Sequence, residues 1–154
     1  MRHGVHPLAE GGYRVRLARD ERGLLNLLAA ELEELVTAAD PAVARLFPAA
    51  HRDDHAAEEE YRRLTRSSLV DGRMRALATL RLTSSAERLT QEQADAWCGA
   101  LNDLRLVLGE RLGVTEDLYD DGIDPNNPRA PELAIYAWLT WLQGSIVEAL
   151  ASRL

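Results

Sequence analysis

The sequence predicts an all-α fold: a compact bundle of about five helices around a central buried helix, with at most one short N-terminal strand. Composition is the first observation, because 46% of the 154 residues are apolar and only one is phenylalanine. Leucine and alanine, which are prominent here, favour packed helices, whereas sheets favour aromatic and β-branched side chains. The second observation is the leucine repeat of Thr90–Gly113. The length predicts a single domain over residues 1–154.

The segment Thr90–Gly113 predicts the central helix. Thr90 and Gln93 have the spacing of a capping box, and Gly113 is a residue that commonly ends a helix. Apolar side chains recur between these ends at steps of three and four, namely Trp97, Leu101, Leu104, Leu108 and Leu112. This spacing places them on one face of a helix, and further apolar residues widen that face, so we expect the helix to be buried.

The N-terminal part predicts three elements. Residues 1–12 show no periodicity and indicate a loose leader. Tyr13–Leu17 alternates apolar residues with arginine, as a short strand with one wet face does. The sequence does not identify a strand that pairs with it, so the strand pairs either with a neighbouring chain or with nothing. Asp20 is placed to cap a helix that runs to about Val36.

The middle of the chain predicts one short and one long helical segment. A proline in the first turn favours a short helix over residues 41–46. Helical periodicity returns from about residue 54 and continues to residue 82, but Gly72 interrupts it. Since glycine costs about 1 kcal/mol relative to alanine inside a helix, we expect two helices or one kinked helix.

The C-terminal part predicts an acidic loop over residues 114–130 and a last helix over Pro131–Arg153. The apolar residues of this helix extend beyond a single stripe. Such a helix is either buried on several sides or half of an interface. The candidate interface residues for a homodimer are Trp138, Trp141 and Leu142.

Charge and cysteine content narrow the function classes. The net charge of −7 disfavours general attraction to nucleic acid or anionic membranes. The only cysteine is Cys98, which excludes a disulfide within one chain and favours a reducing cytoplasm. The longest uncharged run, Leu133–Val147, has 15 residues, whereas a membrane span needs about 20. We therefore expect a cytoplasmic protein without a membrane partner.

A polar line crosses the central helix. Cys98, Asn102, Arg105 and Gly109 share one helix face. One interpretation is a redox-active thiol at Cys98 or a polar contact across an interface. The preferred interpretation is structural: Arg105 pairs with a carboxylate of a neighbouring helix, and Cys98 behaves as a small apolar residue.

Residues 61–88 form a basic block inside an acidic chain. The block contains seven arginines and two acidic residues, so its net charge is +5. The block could present arginines to phosphates, and the candidate nucleic-acid contacts are Arg62, Arg63, Arg66, Arg73 and Arg75. The alternative, which we prefer, is a solvated face balanced by acidic residues.

The sequence offers little material for catalysis. His51 and His55 have a four-residue spacing, but the HExxH zinc signature is absent. The acidic loop lacks the alternating ligand spacing of a calcium-binding EF-hand. No phosphate-binding glycine loop, nucleophile elbow or catalytic triad is recognisable. We therefore expect no enzyme, no cofactor and no metal.

Two segments carry a resemblance to a known family: ALNDLRLVLGERLGVTED, Ala100–Asp117, and YAWLTWLQGSIVEAL, Tyr136–Leu150. They resemble an actinobacterial family long described as a domain of unknown function. That family is often encoded beside the ClpS protease adaptor and includes the oxidative-stress transcriptional regulator AosR. The exclusive use of arginine for basic residues agrees with such a GC-rich source.

The resemblance implies a helical, cytosolic, non-enzymatic regulator of transcription under oxidative stress, with no catalytic residues to carry over. We expect a homodimer that acts through protein partners, with DNA contact as an open question. The alternative is a protease-adaptor or scaffold module that never binds DNA. A switch made of two cysteines in one chain is excluded, because Cys98 stands alone.

Overall fold

The structure, a computed structural model, describes residues 2–38, 40–46, 55–114 and 124–153, apart from the side chains of residues 42, 44, 45, 55, 56, 58 and 61–68. Helices make up most of these residues. In chain order the elements are β1 (Gly4–Pro7), β2 (Tyr13–Arg16), α1 (Arg19–Thr37), a 3-10 helix (Pro41–Leu46), α2 (His55–Leu82), β3 (Arg88–Leu89), α3 (Gln91–Leu112) and α4 (Ala130–Ala151).

A small antiparallel sheet corrects the all-α prediction. Its strand order is β1-β2-β3, and the central strand pairs Tyr13 with Pro7 on one side and with Leu89 on the other. The strand predicted at Tyr13–Leu17 therefore has both partners within the chain. The predicted loose leader is wrong at β1, because the hairpin is closed by a hydrogen bond from the Leu8 amide to the Gly12 carbonyl at 3.0 Å. Four α-helices and one 3-10 helix lie in the described part of the chain.

Helix α3 begins and ends where the sequence predicts. The Thr90 hydroxyl accepts a hydrogen bond from the Gln93 amide at 3.1 Å, and the Gln93 side chain accepts one from the Thr90 amide at 2.9 Å. Gly113 ends the helix with a φ of 64°, a left-handed conformation that favours glycine. Helices α1, α2 and α4 all pack against α3. The prediction of a central buried helix is confirmed.

Helix α1 differs from its prediction at the N-terminus. Its N-cap residue is Ala18 and not Asp20. Glu21 explains this, because its carboxylate accepts a hydrogen bond from the Ala18 amide at 2.8 Å and so satisfies the amide without a capping side chain. Asp20 instead lies in the first turn, where its negative charge is favourable to the helix dipole.

Helix α2 is one helix, so the interruption predicted at Gly72 does not end it. The short helix predicted at 41–46 is confirmed as a 3-10 helix. Leu77 and Leu80 of α2 are fully buried. Their burial, at about 1.5–3 kcal/mol for each side chain, exceeds the helix-propensity penalty of one glycine.

Helix α4 is partly a core helix and partly a surface helix. Five of its residues are buried, namely Leu133, Leu139, Leu142, Ile146 and Ala149. The sheet docks on its C-terminal half, where the Ser145 hydroxyl accepts a hydrogen bond from the Val5 amide at 2.9 Å. By length and composition α4 could also cross a bilayer, a test that core helices of soluble proteins pass as well.

Candidate functional site

A polar network joins α3 to α4. The Arg105 Nε donates to the Thr140 hydroxyl at 3.0 Å, and a terminal nitrogen of the same guanidinium donates to the Gln143 Oε1. The guanidinium also lies 5.6 Å from the ring centroid of Tyr136. These partners are neutral, so the prediction of a carboxylate partner is wrong. Arg105 is only partly buried, and solvent can stabilise the charge that a carboxylate would otherwise neutralise.

Cys98 belongs to the same network through Gln143. Burial raises the pKa of the Cys98 thiol, the nearby Asp95 carboxylate raises it further, and a hydrogen bond from Gln143 opposes both only in part. The thiolate is the reactive form of cysteine, and reactive thiols lie beside cations. The structure therefore gives Cys98 the properties of a slowly reacting thiol.

The remaining members of the predicted polar line have different surroundings. Asn102 is exposed, and its side chain forms no hydrogen bond within the described part of the chain. Gly109 faces Tyr136, and a Cβ at this position would lie 3.0 Å from the ring. Sequence reasoning missed Thr140 and Gln143, although they are polar residues within the uncharged run Leu133–Val147. Polar side chains inside a mainly apolar helix need hydrogen-bond partners, and this feature of the sequence could have identified both residues.

We expect Cys98 to react with iodoacetamide at neutral pH at least about tenfold more slowly in the folded protein than in urea, because burial disfavours the thiolate. Mass spectrometry of alkylated protein over time measures both rates. Free cysteine in the same buffers controls for the effect of urea on the reagent. A folded protein that reacts as fast as free cysteine would contradict this expectation.

Arg73 is not available for the phosphate contact that the sequence suggested. Its guanidinium forms an ion pair with Asp103 of α3 and donates to the Leu46 carbonyl at 3.1 Å. Asp103 is 3% exposed. Burial raises the pKa of the Asp103 carboxyl, and the hydrogen bond and charge of Arg73 oppose that shift. Arg73 thus joins α2, α3 and the 3-10 helix.

The structure describes only some of the other side chains that the sequence suggested for nucleic-acid or metal binding. Arg75 is exposed, whereas the side chains of Arg62, Arg63 and Arg66 lie outside the described residues, as do His51 and the side chain of His55. Most of the acidic loop also lies outside them. In the ranges that the structure describes, no group of three His, Cys, Asp or Glu side chains is placed to hold a metal ion.

The predicted dimer residues lie at different depths. Leu142 is 0% exposed, so it is a core residue and its assignment to an interface is wrong. Trp138 is partly buried, and its indole donates to the Glu21 carboxylate at 2.7 Å. Trp141 is 42% exposed and packs on His3 with ring centroids 5.2 Å apart. Of the three residues, Trp141 is the one on the surface.

Glu21 of α1 links Trp138 of α4 to His3 near the N-terminus by hydrogen bonds. Its carboxylate accepts hydrogen bonds from the Ala18 amide, from Trp138 and from His3. Burial raises the pKa of Glu21, but these hydrogen bonds outweigh burial, and the pKa lies below its ordinary value of 4.5. The ionised carboxylate therefore contributes to the stability of the folded state.

This stabilisation is present above the unfolded-state pKa and is lost as pH falls through the lower folded-state pKa. We expect the free energy of unfolding to fall more steeply for the wild type than for Glu21→Gln between about pH 5 and pH 3. Urea denaturation at several pH values measures it. Glu31→Gln, at an exposed position of the same helix, is the matched control and should follow the wild type. Parallel curves for Glu21→Gln and the wild type would contradict the assignment.

Comparison with known proteins places the chain in a family. A family model described as a domain of unknown function, DUF2017, matches residues 2–150. The oxidative stress regulator AosR of Mycobacterium tuberculosis (strain H37Rv) is 30% identical over 125 residues, which cover 70% of this chain and 57% of that protein. The putative oxidative stress regulator AosR of Mycobacterium leprae is 34% identical over 93 residues, which cover 58% and 42%.

The chain thus spans about half the length of these curated relatives. No solved structure matches it. The resemblance that the segments Ala100–Asp117 and Tyr136–Leu150 indicate is confirmed, because the family model extends over nearly the whole sequence. The chain, which is similar to the AosR proteins, belongs to the DUF2017 family.

Proposed function

We propose that this protein is a non-enzymatic cytosolic regulator of the oxidative-stress response that acts on transcription through protein partners. The observation that carries the proposal is its similarity, over 70% of the chain, to proteins named oxidative stress regulators. The network of Arg105 and the ion pair of Arg73 join helices to one another, so these polar residues serve the packing of the fold.

The proposed regulator does not depend on fast thiol chemistry at Cys98. Its raised pKa and partial burial disfavour the thiolate that oxidants attack. A slowly reacting thiol agrees better with a signal that arrives through binding to a partner than with direct oxidation of Cys98. This separates two questions, whether the protein regulates the response and whether Cys98 senses the oxidant.

A complementation experiment tests both questions. A strain of the native host without the gene is exposed to hydrogen peroxide, and its transcripts are compared with those of strains complemented by the wild type or by Cys98→Ser. We expect the deletion to change the peroxide-induced transcripts and both forms to restore them. A deletion without effect on those transcripts would contradict the regulatory role. If Cys98→Ser is present at normal levels but does not restore the transcripts, whereas the wild type does, Cys98 is the oxidant sensor.

We also propose that the protein is a homodimer that pairs through the exposed face of α4. Trp141 is 42% exposed there, and exposed large apolar residues are enriched at interaction surfaces. Light scattering after size-exclusion chromatography measures the oligomeric state. We expect Trp141→Glu to give monomers, whereas Leu82→Glu, at a 74% exposed position of α2, should leave the dimer intact. A monomeric wild type would contradict this part of the proposal.

We also propose direct contact with DNA as a separate part of the function. Among the candidate arginines whose side chains the structure describes, Arg75 is exposed and could contact a phosphate. Phosphate contacts make affinity fall steeply with salt. Binding of promoter DNA at several salt concentrations, with Arg75→Gln for comparison, tests it. Absence of binding at low salt would leave a regulator that acts on its partners alone.

A further inference from the structure

Arginines outside the basic block line an open groove between β2, the start of α1 and the loop before β3. Arg14 and Arg16 leave the same face of β2, Arg19 begins α1, and His3 lies at the edge. The groove has a volume of about 630 Å³. This is within the range of pockets that bind small ligands or short peptide segments.

The arginines of the groove outnumber its acidic residues, since Glu87 is the one carboxylate among its described lining residues. Among the described residues, Arg14, Arg16 and Arg19 form no ion pair, although the chain has a net charge of −7. In the sheet register Arg88 stands directly opposite Arg14, but Arg88 is paired with the Glu10 carboxylate at 3.4 Å. The three arginines of the groove that form no ion pair therefore point to an external anion.

The floor of the groove is held in place by Arg22. Its guanidinium donates to the carbonyls of Val15, Leu17, Ser84 and Ala86 at 3.0, 3.2, 3.0 and 2.7 Å. Four hydrogen bonds to three segments fix β2, the start of α1 and the loop before β3 relative to each other. Arg22 is thus a positioning residue, and the groove is preformed, which lowers the entropy cost of binding.

The spacing of the arginines selects an extended ligand. Arg14 and Arg16 are two residues apart on a strand, roughly 7 Å along its axis. An extended peptide with acidic side chains at alternate positions has the same repeat and can place one carboxylate on each guanidinium, the strongest pairing available to arginine. Glu87 also lines the groove. Its negative charge favours a short ligand with few charges over a long polyanion.

Nucleic acid fits the groove less well. The side chains that line it include no Phe, Tyr or Trp on which a base could stack. We propose that the groove binds an extended acidic segment of a partner protein. The proposal deepens the proposed function, because it names the surface and the chemistry of the partner contact, but its test does not need the stress response.

A fluorescent peptide of alternating glutamate and alanine tests the proposal, with the glutamine version as its neutral control. Fluorescence anisotropy at low salt measures binding to the full chain. We expect the glutamate peptide to bind and the glutamine peptide not to bind. Arg14→Gln/Arg16→Gln should weaken binding at least about tenfold, because the double variant removes both charge-assisted pairs with the peptide. Arg111→Gln, at an exposed position of α3 outside the groove, is the matched control and should change affinity by less than about twofold.

Circular dichroism confirms that the variants fold. Absence of binding at about 1 mM protein, or equal losses in Arg111→Gln and the double variant, would overturn the proposal. Tighter binding of inorganic phosphate or of single-stranded DNA through Arg14 and Arg16 would overturn the assignment to a peptide. Failure of the peptide while the deletion strain still shows an altered peroxide response would remove the groove proposal and leave the regulatory function standing.

Discussion

Replacement of Trp97 by alanine is expected to lower the free energy of unfolding by about 3–5 kcal/mol. Trp97 is 0% exposed in the middle of α3, and its indole Nε1 donates to the Thr83 hydroxyl at 2.7 Å. The substitution removes the largest fully buried side chain of the core and leaves a cavity next to a hydroxyl without its donor. Urea denaturation followed by circular dichroism measures the loss.

Two further variants separate the causes of this loss. Trp97→Phe keeps a ring but removes the donor, so its loss should be smaller than that of Trp97→Ala. Leu82→Ala, at the 74% exposed position of α2, is the control for truncation of a large apolar side chain at the surface and should lose less than either core variant. A loss below about 1 kcal/mol for Trp97→Ala would mean that α3 is not the packing centre.

Replacement of Arg73 by methionine is expected to lower the free energy of unfolding by about 3–5 kcal/mol at neutral pH. The substitution leaves the Asp103 carboxylate, which is 3% exposed, without its cation. An uncompensated buried charge is among the most destabilising changes in a protein core. The free energy of unfolding in urea at pH 7 measures the effect.

The pH dependence identifies the cause. Without Arg73, burial alone acts on Asp103 and raises its pKa further, so the folded state binds a proton more readily than the unfolded state. The stability of Arg73→Met should therefore rise relative to the wild type as pH falls from 7 toward 5. Asp103→Asn should cost less, because Arg73 is 26% exposed and keeps contact with solvent. Equal losses in both variants at all pH values would contradict the buried-charge explanation.

The sequence by itself determined the bounds of α3 and the family. Thr90, Gln93 and Gly113 mark the ends of α3 because capping groups act on amides within one turn of the same segment. The leucine repeat identifies its buried faces for the same local reason. Family membership also follows from linear segments, Ala100–Asp117 first among them, and the family model confirms it.

Only the tertiary structure decided which distant residues meet. The ion pair of Arg73 and Asp103 joins residues 30 positions apart, and the contact of Val5 with Ser145 joins residues 140 positions apart. The sheet is missed for the same reason, since each strand has two to four residues and is stabilised by pairing across the chain. Local periodicity reports on neighbours within about one helical turn. The partners of a polar side chain depend on how whole elements pack, and so the packing decides that Arg73 is structural while Arg14 and Arg16 remain unpaired at the surface.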